Sequence, residues 1–199
     1  MRTLPFIYLS GLSLIFLSSS WVKADQQCRS QIEQSTPTAR FIINANGTVT
    51  DSQTHITWMR CALGQTWNGQ TCTGKAREFS WQEARDAVAE LNSDNFGEPN
   101  NWRLPYVPEL ASIVERKCFQ PRINLSVFPA TPGQNFWTGM ERKGSPGQAY
   151  AINFGKGGVM PAKKEAMGPI RLMKDGPNGK WWKMKNVSDN GGTGHTEKR

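Results

Sequence analysis

From residue 40 onward the chain alternates short apolar runs with polar turns. Arg40-Phe41-Ile42-Ile43 is β-prone, residues 44–47 carry turn chemistry, and Thr48-Val49-Thr50 can return as a second strand, so a hairpin is expected to open the folded body. The polar turn Asp51-Ser52-Gln53-Thr54 leads into residues 56–61, where Ile56 and Trp58 alternate with polar neighbours and can bury one face. Ser80-Trp81-Gln82-Glu83 fits a capping box, in which the Ser80 hydroxyl accepts from the Glu83 amide and the Glu83 carboxylate reaches back. Behind it Trp81, Ala84, Val88 and Leu91 fall on one helical stripe, while Gln82, Arg85, Asp86 and Glu90 face out. A second helix is expected over about residues 108–117. Pro108 fits its first turn, where a missing amide costs nothing, and Leu110, Ile113 and Val114 make its apolar stripe.

Residues 121–134 read as an irregular loop that covers core with Ile123 and Phe128. Three β-prone runs follow, at 135–140, 148–154 and 168–174, with a lesser run around Val159. Early strands, two helices and late strands predict an α+β domain with one mostly antiparallel sheet. Trp58, Trp81, Trp102 and Trp137 are expected in the core from their alternating or helical placement. Arg103, in Trp102-Arg103-Leu104-Pro105, is expected to brace a loop through carbonyls or carboxylates.

The start of the chain changes the compartment. Arg2, the apolar stretch 4–22 and the small-residue end Val22-Lys23-Ala24 have the order of a secretory signal peptide cleaved after Ala24. The expected organisation is a signal peptide at 1–24, a folded domain at 25–174 and a tail at 175–199, with no transmembrane span after cleavage. Export to the periplasm, the cell surface or the medium follows. Four cysteines in an exported chain argue for two disulfides and allow three pairings. Proximity favours Cys61 with Cys72, which leaves Cys28 for Cys118. Without a Cys-x-x-C, and with His55 and His195 not spaced as ligands, neither a metal nor a cofactor is expected. Trp67, inside the small disulfide loop, is a candidate exposed contact.

Charge then locates a second candidate surface. The chain carries 24 Lys and Arg against 16 Asp and Glu, net +8, and residues 163–199 alone hold a net +5. After Lys174 the sequence turns to Gly, Pro, Asn, Ser and Lys with no period, which predicts a mobile basic tail. Within it Trp181-Trp182-Lys183-Met184-Lys185 joins flat rings to cationic heads, a mix suited to sugars, sulfated chains or an anionic membrane surface. Packing of both Trp back on the domain is the equal alternative. Catalysis finds no support. His55 is the sole histidine of the body, no Gly-x-Ser-x-Gly accompanies it, and Gly155-Lys156-Gly157-Gly158 reads as a turn rather than a phosphate loop.

The order of motifs carries more than any one of them. Gly47-Thr48-Val49-Thr50-Asp51, Arg60-Cys61-Ala62-Leu63-Gly64-Gln65-Thr66-Trp67, Cys72-Thr73-Gly74, Ser80-Trp81-Gln82-Glu83-Ala84, Trp102-Arg103-Leu104-Pro105, Phe128-Pro129, Phe136-Trp137-Thr138 and Ile170-Arg171-Leu172 together resemble the Lcl C-terminal domain family, from about Phe41 to Lys174. The resemblance implies an extracellular, non-catalytic module of C-type-lectin-like fold. For the member found in a bacterial collagen-like adhesin it implies binding to sulfated glycosaminoglycans and trimer assembly. Here His55-Ile56 stands where the family has Gly-Leu, the collagen-like repeat is absent, and the basic tail is an addition, so a homo-oligomer is left open. Glu98-Pro99-Asn100 matches the sugar-binding triplet of C-type lectins, but it precedes the second helix, and the later carboxylates are too scattered for calcium.

The expected function is an exported, adhesin-like module that recognises sulfated or anionic glycans. Its candidate contacts are Lys163, Lys164, Lys174, Lys180, Lys183, Lys185, Trp181, Trp182 and Trp67. The alternative is a structural or protein-interaction domain of the bacterial envelope or a surface appendage, whose partner is an envelope protein. A specific nucleic-acid partner is not expected of an exported chain.

Overall fold

The computed structural model describes residues 26–93 and 101–177. The expected signal peptide, the Glu98-Pro99-Asn100 triplet and the candidates Lys180, Trp181, Trp182, Lys183 and Lys185 lie outside the described residues. In chain order the strands before the helices are β1 (Gln27–Cys28), β2 (Phe41–Ile43), β3 (Thr48–Asp51), β4 (Thr57–Met59), β5 (Thr66–Trp67), β6 (Cys72–Thr73) and β7 (Glu78–Phe79). The helices α1 (Trp81–Ser93) and α2 (Val107–Ser112) follow, then β8 (Cys118–Phe119), β9 (Asn135–Glu141), β10 (Gln148–Asn153), β11 (Val159–Lys163), β12 (Gly168–Pro169) and β13 (Met173–Lys174).

The class is α+β, and the pairings of these strands are antiparallel. They do not form one sheet. Among the described residues there is a four-stranded sheet in the order β13-β4-β3-β2, a three-stranded sheet β11-β10-β9 and three two-stranded pairs. The run 168–174, expected as one strand, divides between β12 on β7 and β13 on β4. Between them Ile170, Arg171 and Leu172 are fully buried, so the chain crosses the core there instead of continuing along one sheet. The lesser run at Val159 is a full five-residue strand, β11.

Helix α1 starts as expected. The Ser80 amide donates to Glu83 Oε2 at 2.8 Å, and the Glu83 amide to Ser80 Oγ at 3.3 Å. Helix α2 stops five residues before the expected end. Val114 instead bridges to Ile123, the Glu115 amide donates to the Arg122 carbonyl, and Cys118 joins β8 opposite β1. The Glu115 side chain holds the turn, since it accepts from the amides of Ser35, Thr36 and Lys117 and from the Thr36 hydroxyl.

The apolar interior has two parts. One packs Val49, Trp58 and Met173 of the four-stranded sheet, with Ile56 just ahead of β4, against Leu110, Ile113, Phe128 and Phe136. The other joins Phe79, Trp81 and Ala84 to Trp102, Trp137, Ala151 and Leu172. The four tryptophans expected in the core are buried, Trp102 least so at 9% exposed. Disulfides link Cys61 with Cys72 and Cys28 with Cys118, so no cysteine is free.

Candidate functional site

The site begins with strand alternation. The register β3 to β4 pairs Thr48 with Met59, Val49 with Trp58 and Thr50 with Thr57, and β13 adds Met173 opposite Trp58 and Lys174 opposite Thr57. Since successive side chains alternate faces, Val49, Trp58 and Met173 go to the core while Thr48, Thr50, Thr57, Met59 and Lys174 share the outer face. Residue 103 extends this sheet edge, because Arg103 and Met173 exchange both backbone hydrogen bonds. Trp102 is thereby brought beside Lys174, whose Nζ stands 4.6 Å from the Trp102 ring centroid.

The hairpin β5–β6, closed by the Cys61–Cys72 disulfide, brings the second ring. Trp67 packs on Gly47, whose φ of 77° requires a residue without a side chain. A Cβ at Gly47 would lie 2.7 Å from Trp67 Cγ. The Arg60 guanidinium sits 4.3 Å over the Trp67 ring and is itself fixed by the carbonyls of Val127 and Ser126. Burial lowers the Arg60 pKa from its ordinary value. Trp67 is therefore half-buried and pinned, a rigid wall rather than a displayed side chain.

Between these parts lies an open cleft of about 350 Å³, lined by Asn46, Thr48, Met59, Gln65, Trp67, Trp102 and Lys174 among others. Its chemistry is two indole rings, amide and hydroxyl groups, and one cation. Among the described residues no carboxylate lines it. The Trp67 Nε1–H is buried without a hydrogen-bond partner among the described residues. Such an arrangement can stack a flat, partly apolar ligand and neutralise one anionic group.

Of the candidates named from sequence, the structure brings Trp67 and Lys174 into this cleft and leaves two others elsewhere. Lys163 is exposed on β11. Lys164 is engaged, with Nζ 3.3 Å from Glu141 Oε2 and 4.5 Å from the Trp81 ring centroid. Sequence reasoning assigned Trp102 to the core alone and passed over Asn46, Thr48 and Met59. Their common signal is register, because Met59 stands opposite Thr48 and Lys174 opposite Thr57 only once the strands are aligned.

Two arginines set the frame of the cleft. Arg103 donates to both carboxylate oxygens of Glu109, at 2.7 and 2.8 Å, and pairs with Asp175, so it ties β13 to the start of α2. Burial acts to lower its pKa, but the Glu109 and Asp175 carboxylates outweigh that and raise it. Arg171 is fully buried. It donates to the carbonyls of Met59 and Arg60 and to Thr131 Oγ1, and it lies over the Phe128 ring at 4.8 Å. Burial pushes its pKa down to about 9, which leaves it charged at neutral pH. Because it holds the two β4-end carbonyls, it fixes the strand that carries Met59 into the cleft.

Elsewhere, His55 is an exposed turn residue at φ 59°. No group of three or more His, Cys, Asp and Glu that could hold a metal ion occurs among the described residues. The sequence profile of the family described as the Lcl C-terminal domain matches residues 47–174, a span that contains the walls of the cleft except Asn46. No curated protein matches the chain.

Proposed function

Because the chain belongs to the Lcl C-terminal domain family, we propose that it is an exported, non-catalytic binding module that holds an anionic or sulfated glycan in the Trp67–Trp102–Lys174 cleft. The observation that carries this reading is the meeting of two fixed indole rings with one cation in an open cleft free of carboxylates among the described residues. Indole rings offer flat apolar area to the C–H face of a sugar, Lys174 answers a carboxylate or sulfate, and Asn46, Thr48 and Gln65 answer hydroxyls. Lys180, Trp181, Trp182, Lys183 and Lys185 follow shortly in the sequence and are assigned a supporting role, a salt-screened attraction for the same polyanion.

The test is calorimetric titration of the mature chain with chondroitin sulfate, hyaluronan and neutral dextran at low and physiological salt. Binding of an acidic glycan that persists at physiological salt is expected. Lys174→Gln is expected to weaken it on the order of fivefold, the worth of one partly exposed ion pair, and Trp67→Ala to weaken it further. Acidic-glycan binding indifferent to both substitutions would remove the cleft from the account. Capture of a single envelope protein with no glycan binding would favour a protein-interaction domain instead.

A further inference from the structure

We propose that the glycan seated in the cleft continues across the outer face of the four-stranded sheet, and that this face selects a chain of sparse charge, with an anionic sugar at Lys174 and neutral sugars beyond it. This rests on the reading that the cleft binds an acidic glycan.

The register places Lys174, Thr57, Thr50 and Ile42 in one straight row, one residue from each of the strands β13, β4, β3 and β2. Three interstrand spacings make that row about 14 Å long, enough for a short oligosaccharide. Trp102 continues it beyond Lys174, so the row starts in the cleft. At the far end Ile42 is 59% exposed and offers apolar area at the end of the row.

The polar groups of the face are already joined to one another. Asn44 Nδ2 donates to Thr48 Oγ1 at 2.9 Å and to Thr50 Oγ1 at 3.3 Å, and the hydroxyls of Thr50 and Thr57 are 3.1 Å apart. Thr48 Oγ1 in turn donates to Asn46 Oδ1 at 2.7 Å. This network fixes the side chains before any ligand arrives, which lowers the ordering cost of binding. It also consumes most of the donors. Asn44 spends its amide protons inside it, and acceptor lone pairs are what remain in excess. A sugar hydroxyl can donate to those lone pairs. A sulfate or carboxylate has only acceptors, and beyond Lys174 the row Thr57, Thr50, Ile42 offers it no cation. The face therefore matches a neutral polyol stretch and disfavours a densely charged one.

The test uses the mature chain and hyaluronan oligosaccharides, in which acidic and neutral sugars alternate, with heparin hexasaccharide for comparison, at physiological salt. The expected result is at least a tenfold gain in affinity from hyaluronan disaccharide to hexasaccharide. The double variant Thr50→Val, Thr57→Val, which keeps β-branched side chains on both strands, should abolish that gain, read within each protein as the ratio of hexasaccharide to disaccharide affinity, while its circular dichroism spectrum stays that of the parent. Equal affinity for the two lengths, or a gain that survives the double variant, overturns the extended subsite. If Lys174→Gln still weakens both lengths in that case, the cleft reading stands alone. A heparin hexasaccharide that gains as much from length and loses as much in the double variant overturns the selection for sparse charge. Absence of binding by every probe removes the cleft reading and this inference with it.

Discussion

Replacing Gly47 by alanine isolates the contact that positions Trp67. Gly47 has φ 77°, and an alanine held in that left-handed region costs about 1–2 kcal/mol. Its Cβ would also lie 2.7, 2.8 and 2.9 Å from Cγ, Cδ1 and Cβ of Trp67, the root of the side chain rather than a flexible end. Trp67 has little room to retreat, since its hairpin is closed by the Cys61–Cys72 disulfide and its ring lies beneath Arg60. Overpacking of that kind adds about 1–3 kcal/mol, so Gly47→Ala should lose about 2–5 kcal/mol in all. Gly69, in the same disulfide loop, supplies the control. It has φ 93°, but a Cβ there meets nothing within 4 Å, so Gly69→Ala should cost only the backbone share, about 1–2 kcal/mol. Urea unfolding of both variants, read from midpoints at constant m, measures the difference. Equal losses would refute the packing of Trp67 on Gly47 and, with it, the rigid wall of the cleft.

Three other outcomes follow from the framework around the site. Burial acts to raise the Glu115 carboxyl, yet hydrogen bonds from the Lys117 amide, the Thr36 hydroxyl and the Ser35 and Thr36 amides outweigh it and hold its pKa below the usual range. Its stabilisation is thus complete above the unfolded carboxylate pKa and lost as pH falls through the folded value. Amide exchange at Ser35 and Thr36, corrected for intrinsic rates, should accelerate in that acid window, and Glu115→Gln should flatten the pH dependence; a flat wild-type profile would contradict the assignment. Replacing Cys61 and Cys72 by serine opens a loop with a sequence separation of 11 and should cost about 3 kcal/mol in urea unfolding, whereas an unchanged midpoint would mean that the hairpin holds without its bridge. Arg171→Lys leaves one ammonium to serve the acceptors on Met59, Arg60 and Thr131, and should cost about 1.5–3 kcal/mol; a loss below about 0.5 kcal/mol would mean that the guanidinium is dispensable there.

Local signals in the sequence were enough to read the elements whose causes are local. The α1 capping box, the β2–β3 hairpin and the short-range disulfide each depend on residues within a dozen positions of one another. Helix α2 ends before its apolar stripe does, since Ile113 and Val114 continue the stripe while the force that ends the helix, Glu115 held by Ser35 and Thr36, comes from a segment some 80 residues away. The run 168–174 has the pattern of one strand yet divides, for a related reason. Its middle residue, Arg171, is drawn inward by carbonyls of Met59 and Arg60 that no periodicity reveals. For the site, Trp67 and Lys174 stood out individually as an aromatic in a small loop and a lysine in a basic stretch. Their convergence on Trp102 depends on long-range register between residues 103 and 173, which composition does not encode.

Indole NMR most directly tests the claim that an acidic glycan binds between Trp67 and Trp102 beside Lys174. In a titration of the labelled chain of residues 25–199 with hyaluronan hexasaccharide at physiological salt, the Trp67 and Trp102 Nε1–H resonances should shift together along one binding curve. The fully buried Trp58 supplies an internal reference that should not move. Shifts confined to the indoles of Trp181 and Trp182, or a titration that leaves Trp67 and Trp102 in place, would contradict the account and move the binding surface away from the cleft.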